Sequence, residues 1–281
     1  MADENSSPIS VILAKWKQFM SLFDPYIDKV AQYTDDLRRK GRKIREFDCP
    51  KSVDDLLGGL PVRVGPKAGS ELVLRGDTFL ELGNPDVGSA SFLLWANDPS
   101  LVKSGRITLI GPDVPESEGA SLPFGQVIIV AGKKLSGDKH ELIERTQYVS
   151  DQIEGYMLKS MSRQMWSRIS KDAAGKGFSF ETLGKALIAI FKSSVPDVEA
   201  VEVVFVTTSK EDLQPLEEMG EQIHEISKNM TKEIWKSKGY DIECFSPFDC
   251  NNCPDSAVCD EIKEMVNVRK KTKDDNKADK E

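Results

Sequence analysis

The stretch Gly125–Lys134 reads GQVIIVAGKK, and its centre is apolar at every position. A run with no polar alternation must be covered on both faces, so it reads as an interior strand that ends in the Gly-Lys-Lys turn. A second interior strand, VEVVFVTT (201–208), is rich in β-branched residues. Between them Thr182–Phe191 is a strongly apolar helix that stops before Pro196. Shorter β-like runs lie upstream: LPVRV, ELVL, TFLEL, SFLLW and RITLIG, spread between Gly58 and about Pro123 and separated by Gly and Pro. Residues 9–45 carry helical periodicity in Ile9, Ile12 and Leu13, then Phe19, Leu22 and Phe23, ahead of the basic run RRKGRK. Lys210–Lys236 reads as a polar helix. Strands interleaved with helices predict an α/β core, with a mixed α+β arrangement also consistent.

Of the 281 residues, 39% are hydrophobic and 30% charged, the balance of a globular chain with enough length for one large domain or two smaller ones. The net charge of -8, without an extended basic stripe, argues against nucleic-acid binding. No apolar run approaches the ~20 residues that span a bilayer, so no membrane association is expected. The first residues, MADENSSPIS, lack the basic and apolar regions of a secretory signal. A cytoplasmic location follows as an expectation, and there thiols stay reduced.

That expectation bears on the cysteines. Four of the five lie in ECFSPFDCNNCPDSAVCDEI, at Cys244, Cys250, Cys253 and Cys259. In a reducing compartment such a cluster reads as a metal site rather than as disulfides. The spacing C-x5-C-x2-C-x5-C lets four soft thiolates surround one centre. The x2 pair sets two sulfurs on one turn, and Pro247 and Pro254 stiffen the loop. Thiolate-only ligation suits a [4Fe–4S] cluster, with zinc as the alternative. Zinc sites usually carry two closely spaced pairs around a longer spacer, and that pattern is absent here. Cys49 stands alone upstream and reads as a packed free thiol. The tail from Arg269 is a Lys/Asp run of disordered character.

Residues 138–174 have few breakers and predict one or two long helices, jointed at Gly155. At 100° per residue, Leu158, Met161, Met165 and Ile169 make an apolar stripe of core type. Lys159, Arg163, Trp166 and Ser170 fall on the opposite stripe. A Trp among cations can stack a planar group while the cations hold phosphate. The plainer alternative is a Trp packed under a second layer with solvated cations. Arg168 and Asp172 are spaced as a helix-surface ion pair. His140 and His224 sit alone in charged helical contexts, where solvent exposure is expected. No G-x-S-x-G, HExxH or P-loop is present.

The same region carries a family resemblance. EG (154–155), Arg163, Trp166, RISKDA (168–173), KGF (176–178) and LGKALIAIFKS (183–193) are similar to acetyl-CoA synthase, the β subunit of the carbon monoxide dehydrogenase/acetyl-CoA synthase complex. FLELGNP (79–85), ITLIGPDV (107–114), LPFGQVIIVAGKKL (122–135) and ER (144–145) continue the similarity upstream in the same order, and VEVVFVTT continues it downstream. The resemblance covers the family's middle domain. It implies an α/β domain over residues 60–240, while the residue patterns themselves give an N-terminal helical region at 1–59, which has no match in the family, a metal-binding appendage at 241–268 and a disordered tail at 269–281.

The family joins a methyl group from a corrinoid protein, carbon monoxide and coenzyme A into acetyl-CoA. Its middle domain is associated with coenzyme A through arginines and a tryptophan. The resemblance therefore implies a coenzyme A or acyl-CoA site at Lys159, Arg163, Trp166 and Arg168, and partner subunits of the carbon monoxide dehydrogenase or corrinoid-protein type. It also marks a departure. Catalytic members hold nickel with further cysteines that include a Cys-Gly-Cys motif, whereas this sequence contains no Cys-x-Cys. The expectation is one cluster on this chain, with nickel ligands from a partner if the chain takes part in catalysis. The alternatives are a non-catalytic iron–sulfur module for electron transfer or interaction, and a zinc-stapled interaction protein.

Overall fold

A computed structural model of the chain describes residues 22–50, 52–65, 73–135, 139–147, 152–161 and 165–237. The chain divides into two units, Met1–Lys228 and Asn229–Glu281. Among the described residues the first contains two mixed sheets and five complete helices, as an α/β chain requires, and a sixth helix runs on into the second unit.

The five-stranded sheet is built from β1 (Ile44–Asp48), β3 (Ser89–Ala96), β4 (Arg106–Ile110), β6 (Phe124–Ala131) and β9 (Ala200–Val206), in the order β1-β4-β9-β6-β3. β4 runs parallel to β9 and β3 parallel to β6, while β1–β4 and β6–β9 are antiparallel. Every residue of β6 and β9 is buried, as their largely apolar sequences demand, with Gln126 and Glu202 the polar residues carried inside. The four-stranded sheet holds β2 (Thr78–Leu82), β5 (Ser121–Leu122), β7 (Tyr156–Met161) and β8 (Met165–Ser170), in the order β5-β2-β8-β7.

Helices cover the larger sheet. The helix α5 (Phe180–Ser194) starts where the Ser179 hydroxyl accepts the Thr182 N–H at 3.1 Å. It stops at Val195, held extended by the following Pro196. Phe124, Phe180 and Phe205 meet beneath it with ring centroids 5.3–5.9 Å apart. Each such ring contributes about 1.5–3 kcal/mol through burial. Gly184 of α5 sits directly on Ile107, whose side-chain atoms would lie 2.7–2.9 Å from an added Cβ. Asp113 ties the exit of β4 to this helix: its Oδ1 accepts the N–H groups of Phe180 at 2.8 Å and Val114 at 2.7 Å. On the other face, α1 (Asp24–Arg39) and α6 (Lys210–Ser237) lie side by side, joined by Tyr33 Oη donating to the Asp212 carbonyl at 2.6 Å. Leu213 and Leu216 of α6 close over Gly125. Shorter helices are α2 (Val53–Leu57), α3 (His140–Thr146) and α4 (Lys171–Gly175).

Several expectations are corrected. Among its described residues the stretch 138–174 holds the short α3 and α4 rather than long helices, and between them the antiparallel pair β7–β8. Leu158, Met161, Met165 and Ile169 do not form a helical stripe, although Met165 and Ile169 are core residues as expected. Met161, Met165 and Ile169 lie at even spacings that a strand also allows, and a register shift between Leu158 and Ser160 lets Leu158 pair with Ser167 while Met161 pairs with Met165. Tertiary pairing decides: β2 hydrogen-bonds β8, and Gly155, at φ 71, packs on Ala173 and Ser170. Val64 makes only an isolated bridge to Ile153, so LPVRV is not a strand; the described end of ELVL, Val73–Leu74, leads into the 3-10 turn Arg75–Asp77. The strand β1 was not anticipated, because its alternation follows directly on the basic run. His224 is half-buried with its Nε2 enclosed, not solvent-exposed.

Candidate functional site

The basic run after α1 is the first candidate for an anion site, and its cations are largely spent. Arg38 pairs with Asp35 and Glu46, Arg39 with Asp36, Arg42 with Asp212, and Lys43 and Arg45 with Glu116. Glu116, held by the Asp113 N–H and by these cations, titrates well below the usual carboxylate range, at about 2. Cys49 is a half-buried thiol that burial pushes up to about 11, far from the thiolate a reactive cysteine needs.

The four-stranded sheet is more informative. Strand alternation puts Met165, Ser167 and Ile169 on the buried face of β8, with Leu80 and Leu82 of β2 in register beside Ile169 and Ser167. Trp166, Arg168 and Ser170 occupy the opposite face. Arg168 stands directly across from Glu81 of β2, and the two form an ion pair with Nε and Nη2 at 3.1 and 3.0 Å from Oε1. Arg168 is only 8% exposed. The predicted Arg168–Asp172 pair does not form, because α4 begins after Arg168; Asp172 pairs with Lys176 instead at 2.7 Å. Trp166 is half-buried two residues before Arg168, and Met157 of β7 faces Arg168 in register. On the buried face of the sheet Tyr156 stacks on Phe178 at 6.3 Å, with its hydroxyl pushed up to about 12 by burial.

Of the four residues expected to hold coenzyme A, Trp166 and Arg168 therefore share one sheet face, Lys159 lies in β7, and Arg163 falls outside the described residues. Cys244, Cys250, Cys253 and Cys259 also lie outside them. Glu81 was missed by sequence reasoning. The signal for it was present in FLEL, where one acidic residue sits between two leucines at the outward position of a strand.

Comparison with known proteins bears on this site. A family model for the CO dehydrogenase/acetyl-CoA synthase complex beta subunit matches residues 60–212, which include β2, β7 and β8. The acetyl-CoA decarbonylase/synthase complex subunit beta 1 of Methanosarcina thermophila is 29% identical over 195 residues, covering 69% of this chain and 40% of that protein. Subunit beta of Methanopyrus kandleri is 32% identical over 195 residues, covering 68% and 40%. Subunit beta of Archaeoglobus fulgidus is 33% identical over 150 residues, covering 52% and 28%. The chain spans at most about 40% of the length of these relatives.

Proposed function

The chain belongs to the CO dehydrogenase/acetyl-CoA synthase complex beta subunit family, and on that footing we propose that it serves as a coenzyme A- or acyl-CoA-binding subunit of a complex of that kind, carrying a [4Fe–4S] cluster. The observation that carries this reading is the outward face of β8. A tryptophan and an arginine, buried to the extent that few surface side chains are, stand together on a sheet that the family match covers from end to end. Coenzyme A joins a planar base, phosphates and an amide-bearing arm. A Trp face suits the base, and Lys159 and Arg163, cations close to Trp166 in sequence, are suited to the phosphates.

The cysteine segment fits a cluster by the chemistry of its donors: four thiolates in one short stretch of sequence, two of them spaced Cys-x2-Cys. A cluster bound there supplies one-electron transfer or a rigid staple for the loop. The compact spacing, in a sequence with no Cys-x-Cys, favours a complete site for one cluster over a share of a nickel centre. Nickel chemistry, if this protein takes part in it, needs metal ligands beyond the cysteines of this sequence. Subunits of the carbon monoxide dehydrogenase and corrinoid-protein type are the partners this reading implies. Among the described residues no helix is long and apolar enough to cross a membrane.

Two measurements test the reading. Coenzyme A is expected to quench tryptophan fluorescence, and Trp166→Phe to abolish the response. The variant is essential because Trp16, Trp95 and Trp235 also emit. A response that survives in the variant, or no response at all, places coenzyme A elsewhere or nowhere. Protein purified without oxygen is expected to hold about four iron and four sulfide per chain. Stoichiometric zinc without iron replaces the cluster with a zinc staple.

A further inference from the structure

We propose that Phe79 is a further contact residue of the site, and that it holds the pantetheine arm of coenzyme A while Trp166 holds the base. The inference rests on the coenzyme A site proposed above and sets the direction in which the ligand crosses the sheet.

The ladder around β8 is broken twice, once on each side. On β2, Thr78 pairs with Ser170 and Leu80 with Ile169, so Phe79 is an extra residue with no partner on β8. On β7, Leu158 pairs with Ser167 and Ser160 with Trp166, so Lys159 is the extra residue there. A bulge leaves one residue outside the pairing and re-aims its side chain, and bulges are over-represented beside functional sites. Here the two bulges bracket the stretch of β8 that carries Trp166 and Arg168. Phe79 is on the outward side. Leu80 and Leu82 are fully buried, and Glu81 between them meets Arg168 on the outward face. Phe79 is 40% exposed, the only aromatic side chain among the described residues exposed to this extent. Single exposed apolar side chains are ordinary on protein surfaces. This one stands on the sheet face that carries Trp166, at a position the ladder does not require.

Spacing and charge decide which part of the ligand reaches Phe79. The residue lies beside the Ile169–Ser170 step of β8, beyond Arg168 as seen from Trp166. At about 3.3 Å per residue, that step is about 10–13 Å from Trp166 along the strand. This is farther than the ribose reaches from a base stacked on Trp166, and it falls within reach of the arm, which follows the diphosphate. The arm is as long as nearly four extended residues, about 12 Å, so it can cross from one strand to the next. It begins with a branched dimethyl group, whose apolar surface suits a phenyl ring. Between Trp166 and Phe79 lies the Glu81–Arg168 pair, whose charges cancel. It offers no net attraction to the diphosphate, which is assigned above to Lys159 and Arg163, and an uncharged arm passes it without penalty. Lys159 is on β7 and Phe79 on β2, strands on opposite sides of β8, so the ligand crosses β8 from its phosphates to its arm.

The test titrates the full chain calorimetrically with coenzyme A and with adenosine 3′-phosphate 5′-diphosphate, which is coenzyme A without its arm. The wild type is expected to bind coenzyme A at least about tenfold more tightly than the armless ligand. Phe79→Ala is expected to weaken coenzyme A about tenfold and the armless ligand less than about twofold, since one apolar contact to the arm is lost. Phe79→Leu keeps an apolar side chain and is expected to stay within about threefold of the wild type for both ligands. A Phe79→Ala protein that binds coenzyme A as the wild type does, or that loses both ligands equally, overturns the placement of the arm and leaves the coenzyme A site standing. So does a wild type that binds the two ligands equally, a result that needs no variant. Failure of the wild type to bind coenzyme A overturns both.

Discussion

Replacing Gly83 with alanine is expected to destabilise the protein by about 2–4 kcal/mol. Gly83 follows β2 at φ 67, a left-handed conformation that an alanine tolerates poorly. Space is the second cost. An added Cβ would lie 2.3 Å from the Met165 carbonyl oxygen and 2.9 Å from Ser89 Oγ. The first of these is backbone and cannot rotate away. The joint it would disturb ties the two sheets together: Gly83 N–H donates to the Leu122 carbonyl at 2.9 Å, and Ser89 Oγ donates to the Met165 carbonyl at 2.6 Å. Relief requires β8 to move, and β8 carries Trp166 and Arg168. The variant is therefore expected to lose roughly 5–15 °C in Tm and to weaken coenzyme A binding together with stability. Gly76→Ala is the control. It lies in an exposed turn with nothing within 4 Å of an added Cβ, and a change within about 0.5 kcal/mol is expected. Equal effects from the two substitutions would contradict the packing described for Gly83.

Glu144→Gln is expected to stabilise the protein above neutral pH and to make little difference in acid. Glu144 of α3 lies against α6, where Ser227 Oγ and Gln147 Nε2 donate to its carboxylate at 3.4 and 3.0 Å. Burial outweighs these bonds and raises its pKa to about 7. The folded state thus holds the proton more tightly than the unfolded chain does. The associated stability is fully present below the unfolded value near 4.5, shrinks as pH rises, and is gone above about 7. The shift corresponds to at most about 3 kcal/mol. Glutamine keeps an uncharged group there at every pH. Urea unfolding of both proteins at pH 5 and pH 8 should show a gap that opens toward pH 8. A gap of the same size at both values would mean that Glu144 is ionised without penalty in the fold.

The parts of this fold that were legible in the sequence are those where local pattern and tertiary packing agree. β6 and β9 are apolar at nearly every position, and no arrangement other than an interior strand accommodates them. The helix α5 has a serine cap, an apolar body and a proline beyond its end, so three independent signals coincide. The pair β7–β8 failed for a physical reason. Methionine and lysine favour helices intrinsically, the strands lack β-branched runs, and Leu158, Met161, Met165 and Ile169 match a helical period by coincidence. What makes this segment a pair of strands is its register with β2, a contact about 90 residues away in sequence that no local window contains.

The same distinction applies to the site. Trp166 and Arg168 were identified by residue type and resemblance, yet a helical reading put them on different faces. Alternation in a strand brings them together, and only the pairing of β2 with β8 reveals Glu81 as the partner of Arg168. The cluster proposed for the cysteine segment rests on donor type and spacing in the sequence.

The central claim is that the outward face of the four-stranded sheet binds coenzyme A. Hydrogen–deuterium exchange of the full chain, with and without coenzyme A, tests it most directly. The account predicts slowed exchange in peptides covering β2, β7 and β8, with no change in α1. Unchanged exchange in those strands under saturating coenzyme A, or protection confined to α1 and the basic run that follows it, would contradict it.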